Sequence, residues 1–399
     1  MLFLKRQGIL FLCICIVLFL SGCWGRKEVN DLAIIVAAGL DKKSDEKLEL
    51  TVQVYTPKAS GGGQQMGESG SGGGGQPVVV RSAEGVTIAD AMSKLQQLFP
   101  RQLFWGHAEV FIINEKLARE DIRPKLDFIL RHPQLRDRSH IYVSKDPAKK
   151  VLRLTPPLER DLSEVLRELS MLKTGIEITV KEAAQMFIGD SGASALPLIE
   201  VLKSQPPAEE NQTIAYINGT AIFKKGKMIG TIDGAQTRGV LWLRNEISQA
   251  VVTVKPGIVD GYISMVLLHS YTKLIPSIEN GRWKITLKAT TEVDIINNGT
   301  VLDITDQKTI EMLEHKLEKD IHNRVYSALS IVQKEMNADI FGFSDAFHRS
   351  YPDIWNKNKE NWDEIFPQVE VLIEARAIVR RPGMVTRPSL IPEEEVVEE

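Results

Sequence analysis

The first hydrophobic signal is also the longest uninterrupted one. A basic pair, Lys5 and Arg6, is followed by residues 8–20, which carry no charged or strongly polar side chain. This is an n-region followed by an h-region, and it falls short of the roughly 20 apolar residues that cross about 30 Å of hydrocarbon. Beyond it the apolar positions recur at two periods. Residues 32–38 form a short apolar run and residues 48–55 alternate, so both are expected as strands, the second half-buried. Residues 78–80 continue as a strand. A helix is expected from about Thr87 or Asp90, with Ile88, Met92, Leu95 and Phe99 on one face. Residues 103–113 read as a strand, 115–130 as a helix interrupted or begun near Pro124, and 139–143 as a strand. Residues 162–169 and 180–187 have helical spacing.

The second half of the chain is richer in strands. Residues 215–223 and 228–232 flank Lys224-Lys-Gly-Lys227, a hairpin with glycine at its turn. Two further strand-rich stretches, 250–268 and 283–296, lead to the longest helical pattern, in which Ile310, Leu313, Leu317, Ile321, Val325, Leu329, Val332 and Met336 recur every three or four residues. The spacing drifts from a strict heptad, so this stripe is expected to pack on a sheet rather than in a coiled coil. A last strand is expected over 369–379.

These elements predict an α+β, multi-domain ectodomain with mixed or antiparallel sheets, packed helices and a long amphipathic helix in the C-terminal domain. The division they imply begins with a signal peptide over 1–22. An N-terminal α+β region follows over 23–203, with room for two subdomains and a flexible glycine-rich loop at 58–76. A polar linker at 204–212 leads to a C-terminal α+β domain over 213–382, and an acidic tail occupies 383–399. The glycine-rich loop has too little apolar area to offset its ordering entropy. Without a lysine and a helix start behind its glycines, it is no phosphate cradle.

Composition sharpens the reading of the N-terminus. The h-region ends in Leu20-Ser-Gly-Cys23, which resembles a bacterial lipobox. In that motif small side chains fit the lipoprotein signal peptidase, and the thiol becomes a thioether to diacylglycerol. Cys23 is therefore the predicted lipidation site, bearing a diacylglyceryl thioether and an N-acyl chain, which meets the requirement of more than one acyl chain for stable anchoring. The competing reading is an uncleaved signal anchor. Cleavage removes Cys13 and Cys15, leaving no disulfide and no cysteine-based metal site. It also removes Lys5 and Arg6, which takes the net charge from −3 to −5 and leaves no charge-driven case for nucleic acid or anionic lipid.

Candidate chemistry is sparse. Gly189-Asp-Ser-Gly192 copies the nucleophile motif of trypsin-like proteases, but it lies where a helix gives way to a turn, and no histidine sits in a partner motif. His107, His132 and His140 are too scattered to define a metal site. No catalytic, metal or cofactor residue is assigned, and the chain is expected not to be an enzyme.

Several blocks resemble the Ger(x)C family, the C subunits of spore germinant receptors. They are Gly22-Cys-Trp-Gly-Arg-Lys-Glu-Val-Asn-Asp-Leu-Ala33 with Gly39-Leu-Asp41; Gly106-His107, Arg131-His-Pro133 and Arg136; and Gly219-Thr-Ala-Ile-Phe223 with Lys227, Gly230 and Thr237-Arg-Gly239. The last group is Asp339-Ile-Phe-Gly-Phe343, Tyr351-Pro352, Trp355 and Trp362. They span nearly the whole mature chain in order, and the glycine-rich insert is the main departure. The resemblance implies a non-enzymatic, lipid-anchored subunit at the outer face of the spore inner membrane, beside an integral A subunit and a permease-like B subunit. It also implies that nutrients such as amino acids or sugars trigger the complex, with B the germinant binder, and it carries over no ligand contact. Gly39, Gly219 and Gly230 are expected to serve turns or close packing. Trp355 and Trp362 are expected to pack a peripheral segment onto the domain, an interface with a partner being the alternative. A solute-binding lipoprotein of an importer shares the lipobox but is expected as two doubly wound lobes.

Overall fold

The computed structural model describes residues 31–55 and 78–381. Cys23, the signal peptide, the glycine-rich stretch 58–76 and the tail 383–399 lie outside the described residues. Two mixed sheets with several helices make an α+β architecture.

The first sheet has nine strands in the order β3-β2-β1-β5-β6-β7-β8-β9, with β4 pairing beside the start of β1. Its first members are β1 (Leu32–Lys42), β2 (Leu48–Tyr55), β3 (Val78–Gly85), β4 (Gln102–Phe104), β5 (Val110–Asn114) and β6 (His140–Ser144). It is completed by β7 (Ala193–Val201), β8 (Ala215–Lys224) and β9 (Lys227–Ile232). β1, β5, β6 and β7 run parallel, and antiparallel hairpins flank them on both sides. Helices cover both faces, which is why β5 is buried at every position rather than alternating.

The single strand expected over 103–113 is two strands. β4 pairs with β1 at Leu32↔Gln102, whereas β5 pairs with it at Ala37↔Val110, so the offset grows by three residues between them. The surplus is absorbed by a turn at Trp105-Gly106-His107, where the Ala108 amide donates to the Trp105 carbonyl at 3.1 Å. The helix expected over 115–130 is likewise split, into α2 (Glu115–Ala118) and α3 (Arg123–Arg131), with Pro124 in the first turn of α3 where a missing N–H costs nothing. Before them, α1 (Ile88–Gln96) starts at Thr87, whose hydroxyl accepts from the Asp90 amide at 3.1 Å. Phe99 lies beyond its end but still packs on the core. After β6 come α4 (Ala148–Val151), α5 (Leu162–Met171) and α6 (Val180–Ile188), the last opened by a reciprocal cap between Thr179 and Glu182.

The polar stretch 204–212 connects β7 to β8, which pair antiparallel. A boundary there separates two neighbours of one sheet. The β8–β9 hairpin turns at Lys225 and Gly226, both at positive φ (51° and 85°), as a two-residue turn between right-twisted strands requires.

The second sheet has the order β10-β11-β12-β13, formed by β10 (Val251–Val254), β11 (Ile263–Glu279), β12 (Arg282–Asn298) and β13 (Glu370–Arg381). β11 and β12 form a long hairpin, and β13 returns parallel to β12. One hairpin and one parallel crossover are not a second doubly wound lobe. The long helical stripe is α8 (Gln307–Leu329), continued by a π-helical turn over Ser330–Glu335. It packs against β13 and against α7 (Gly234–Leu243), so the expected burial on a sheet is observed. Two of its glutamates also reach the open edge of β13, where Glu318 accepts from the Ala377 amide at 3.1 Å and Glu314 from the Val379 amide at 2.8 Å.

The glycines show their reasons in contacts. A Cβ at Gly39 would lie 2.7 Å from that of Ala148, and one at Gly230 would lie 2.7 Å from Met336 Cε. Gly219 has φ +109° and backs onto the Ile232 carbonyl. At Gly239 a Cβ would fall 2.2 Å from the Arg324 carbonyl oxygen, which makes it the point of closest approach between α7 and α8.

Candidate functional site

Among the described residues, the chemistry-bearing ones singled out from sequence converge where residues 337–368 close against the first sheet. This segment carries α9 (Phe343–Ser350), α10 (Pro352–Asn358) and α11 (Trp362–Ile365). Asp339 organises its start. Asp339 Oδ1 accepts from the amides of Phe341 and Phe343 at 3.3 and 3.1 Å, while Oδ2 accepts from the Ser344 amide at 2.7 Å and from Trp362 Nε1 at 3.2 Å. Burial pushes this carboxyl upward from the usual range, and the amides of Ser344, Phe343 and Phe341 oppose the push. Gly342 stands at φ +82° and allows the chain to wrap its own carboxylate.

Around that turn the aromatic side chains form one nest. Trp355 and Trp362 are buried, and their rings meet edge-on at 5.0 Å. Trp283 of β12 contacts Phe347 at 4.7 Å and Trp362 at 5.9 Å, which ties the nest to the second sheet. The expectation that the two tryptophans pack the segment down is met.

Polar contacts tie the same segment to the first sheet. Trp355 Nε1 donates to Asp190 Oδ2 at 2.9 Å, and His348 Nδ1 lies 3.0 Å from the same oxygen. On the β8–β9 turn, Lys224 and Lys225 reach Asp363 at 3.0 and 2.9 Å. Burial alone would raise the Asp363 carboxyl, but Lys225 and Lys224 outweigh it and hold it below the ordinary range. Lys224 Nζ also donates to the Asn337 carbonyl at 2.7 Å, and Arg244, at the end of α7, donates to the Ile340 carbonyl at 3.0 Å. The π-helical turn places buried Gln333 so that its amide donates to the carbonyls of Phe366 and Val369, both at 2.9 Å.

Gly189-Asp-Ser-Gly192 thus has a structural task. Its aspartate anchors Trp355, and Ser191 Oγ accepts from the Ala193 amide at 3.3 Å. His348 engages Asp190, and this is not the serine-to-histidine contact of a nucleophile and its base. A cleft of about 400 Å³ remains between the two sides, lined by Glu177, Glu182, Glu246 and Asp345 around Arg244. His107, His132 and His140 do not assemble with it. Burial lowers both His132 and His140, and His140 Nδ1 is buried without a hydrogen-bond partner. Among the described residues no cluster of histidine, cysteine and carboxylate side chains could hold a metal ion. Likewise, none of the described helices is long and apolar enough to cross a membrane. Cys23, the one assigned site residue, lies outside the described residues.

Asp339, Phe341, Phe343, Trp355 and Trp362 of the nest belong to the blocks noted in the sequence, and family models match both halves of the chain. Residues 25–201 match the spore germination protein N-terminal domain, and residues 218–383 match the spore germination B3/GerAC-like C-terminal model. The chain belongs to the Ger(x)C family. Relatives of this Ger(x)C protein include spore germination protein KC of Bacillus subtilis (strain 168), 28% identical, with 93% of this chain and 95% of that protein covered. Spore germination protein B3 of the same strain is 26% identical over 88% of this chain and 92% of that protein. The crystal structure of the GerBC protein superposes with a TM-score of 0.57 at 20% identity, covering 86% of this chain and 97% of that one, which shows a shared fold.

Proposed function

We propose that this protein is the lipid-anchored C subunit of a nutrient germinant receptor, held at the outer face of the spore inner membrane through Cys23. In this reading it works beside the integral A subunit and the permease-like B subunit. The observation that carries it is the match of both halves to spore germination models, in order and over nearly the whole mature chain. The relatives named spore germination proteins KC, B3 and A3 support the same assignment. Its role is read as non-enzymatic, since Asp190 is bound into the packing of residues 337–368 and Ser191 accepts from the Ala193 amide, with no histidine base hydrogen-bonded to it among the described residues. The separately matched halves also support the division into a region over 23–203 and a domain over 213–382 joined at 204–212, with β8 and β9 as the strands by which the second grips the first.

Deleting the gene in a spore former tests the role. The expected result is a lost or slowed response to one nutrient class, with germinants that bypass receptors still effective. A normal response to every nutrient in a strain without a redundant receptor would refute it. Cys23→Ala tests the anchor: the folded domain should leave the membrane fraction, and retention after washing in high salt would contradict lipid anchoring.

A further inference from the structure

The end of the first sheet nearest Cys23 in sequence is also the end where an apolar turn lies open to solvent. β1, β4, β5 and β6 are parallel; β1 and β4 start at this end, and β5 and β6 start level with Ala37, so the loops preceding them lie on this side of the sheet. The turn at residues 98–101 presents Leu98, 50% exposed, beside Phe99 and Pro100. With Leu32, Tyr55 and Arg81 it lines a cleft of about 300 Å³. Arg101 stands in the same turn, and Arg136 and Arg138 lie in the loop before β6. That loop is brought alongside by Gln134, which accepts from the Trp105 amide at 3.3 Å. Asp31, Glu109 and Asp137 are the acidic side chains of these segments, and Glu109 is paired with Arg167, so Arg81, Arg101, Arg136 and Arg138 leave the local balance slightly basic although the chain as a whole is acidic.

We propose that this end of the sheet rests on the lipid surface, with the turn at residues 98–101 among the headgroups and the arginines against their phosphates. The proposal rests on the reading of Cys23 as lipidated. Asp31 lies only eight positions after Cys23, and at about 3.5 Å per extended step these reach under ~30 Å. The start of β1 is therefore tethered close to the bilayer, while the far end of that strand stands some ~35 Å further off at about 3.3 Å per residue. An exposed leucine and proline flanked by arginines, on the tethered side, match the apolar and anionic layers of a bilayer interface.

A cysteine-specific label tests this, because lipid occupies the mature chain's only cysteine. The lipidated protein carrying Leu98→Cys is labelled with a fluorophore and placed in phosphatidylglycerol/phosphatidylethanolamine vesicles with and without brominated acyl chains. Leu202→Cys is the control, since Leu202 directly follows β7 at the opposite end of the parallel strands and is itself exposed. Both side chains are exposed, so neither change should disturb folding, and equal thermal unfolding of the two variants checks this. The expected result is a large loss of emission at position 98 in brominated vesicles and none at 202. Protein that floats with the vesicles but shows no loss at 98 overturns the proposal, as coverage of the cleft by residues 56–77 or by a protein partner would. Equal loss at both positions overturns it as well. Protein that fails to float overturns the lipid reading of Cys23 and this surface with it, so the two failures are distinguishable.

Discussion

The first sheet is covered by helices on both faces and the second on one, and their sequences differ accordingly. β5 is buried throughout, and β7 is buried over its first seven residues. β12 alternates buried and exposed positions along most of its length. Its sheet leaves Tyr271, Ile296 and Leu372 in solvent, while α8 and the aromatic nest lie on the other side. A doubly covered sheet is held by packing from both sides. A singly covered one needs something to hold its cover in place, and residues 337–368 do that with polar contacts reaching across to the first sheet. Buried side-chain hydrogen bonds also lie within the first sheet, at Gln53, Asn114, Ser139 and Tyr142, but those around Asp339 hold a segment that has no strand of its own.

That contrast can be broken at its strongest point by Asp339→Ala. Removing the carboxylate leaves four N–H donors without their acceptor, at about 1–3 kcal/mol for each that stays dry. The expected cost is roughly 4 kcal/mol or more, read as a shift in the denaturation midpoint at unchanged slope. A cost below about 1 kcal/mol would mean that water replaces the carboxylate and that the junction is not dry. Next in size is Gly239→Ala, which drives a methyl into the Arg324 carbonyl and should cost about 2–3 kcal/mol in the same assay by forcing α7 off α8. Trp355→Phe keeps an aromatic ring but loses the indole N–H bond to Asp190, which His348 still engages, and about 1 kcal/mol is expected.

A pH titration separates the two sheets more finely. Burial lowers His140, on the first sheet, below its ordinary value near ~6.5, so the unfolded chain binds the proton more readily than the folded one. Its contribution is complete above that value and is lost as pH falls toward the folded value. Wild type should therefore lose more stability between neutral and mildly acidic pH than His140→Gln does, and parallel curves would show that His140 is already hydrated. The smallest effect is expected from Tyr271→Ser on the open face, within about 0.5 kcal/mol. A cost equal to that of Trp355→Phe would mean that this face is not open.

Much of this fold is legible in the pattern of apolar residues, because helix stripes and strand alternation report what each element faces. The stripe of α8 and the hairpin at Lys225-Gly226 are examples. What escapes the pattern has particular causes. β7 carries Pro197, a residue that argues against an interior strand, and the structure accommodates it at a register shift between Pro197 and Ile199. α7 is buried on nearly every side and contains two glycines, so it shows no amphipathic stripe. The outer half of β11 is signalled only by Asn280-Gly281, whose positive φ angles (52° and 78°) make the turn into β12. At the junction, the sequence points to Trp355, Trp362 and the Asp339 block but not to Asp190 as their partner, since a contact across 165 positions leaves no trace in local spacing. The motif containing Asp190 copies a nucleophile motif in its letters only, and the chemistry it performs is hydrogen-bond acceptance.

The β7–β8 pairing has a consequence for how the chain is made. A polypeptide emerging from its N-terminus completes β7 at Val201 and must wait for residues 215–224 before that buried strand, already paired with β6, finds its second neighbour. Until then an apolar backbone edge stands open, the kind of template on which chains stack into aggregates. A product that stops near residue 203 keeps that edge permanently. Premature termination or proteolysis there should therefore yield insoluble material, whereas a cut after residue 381 leaves both sheets whole.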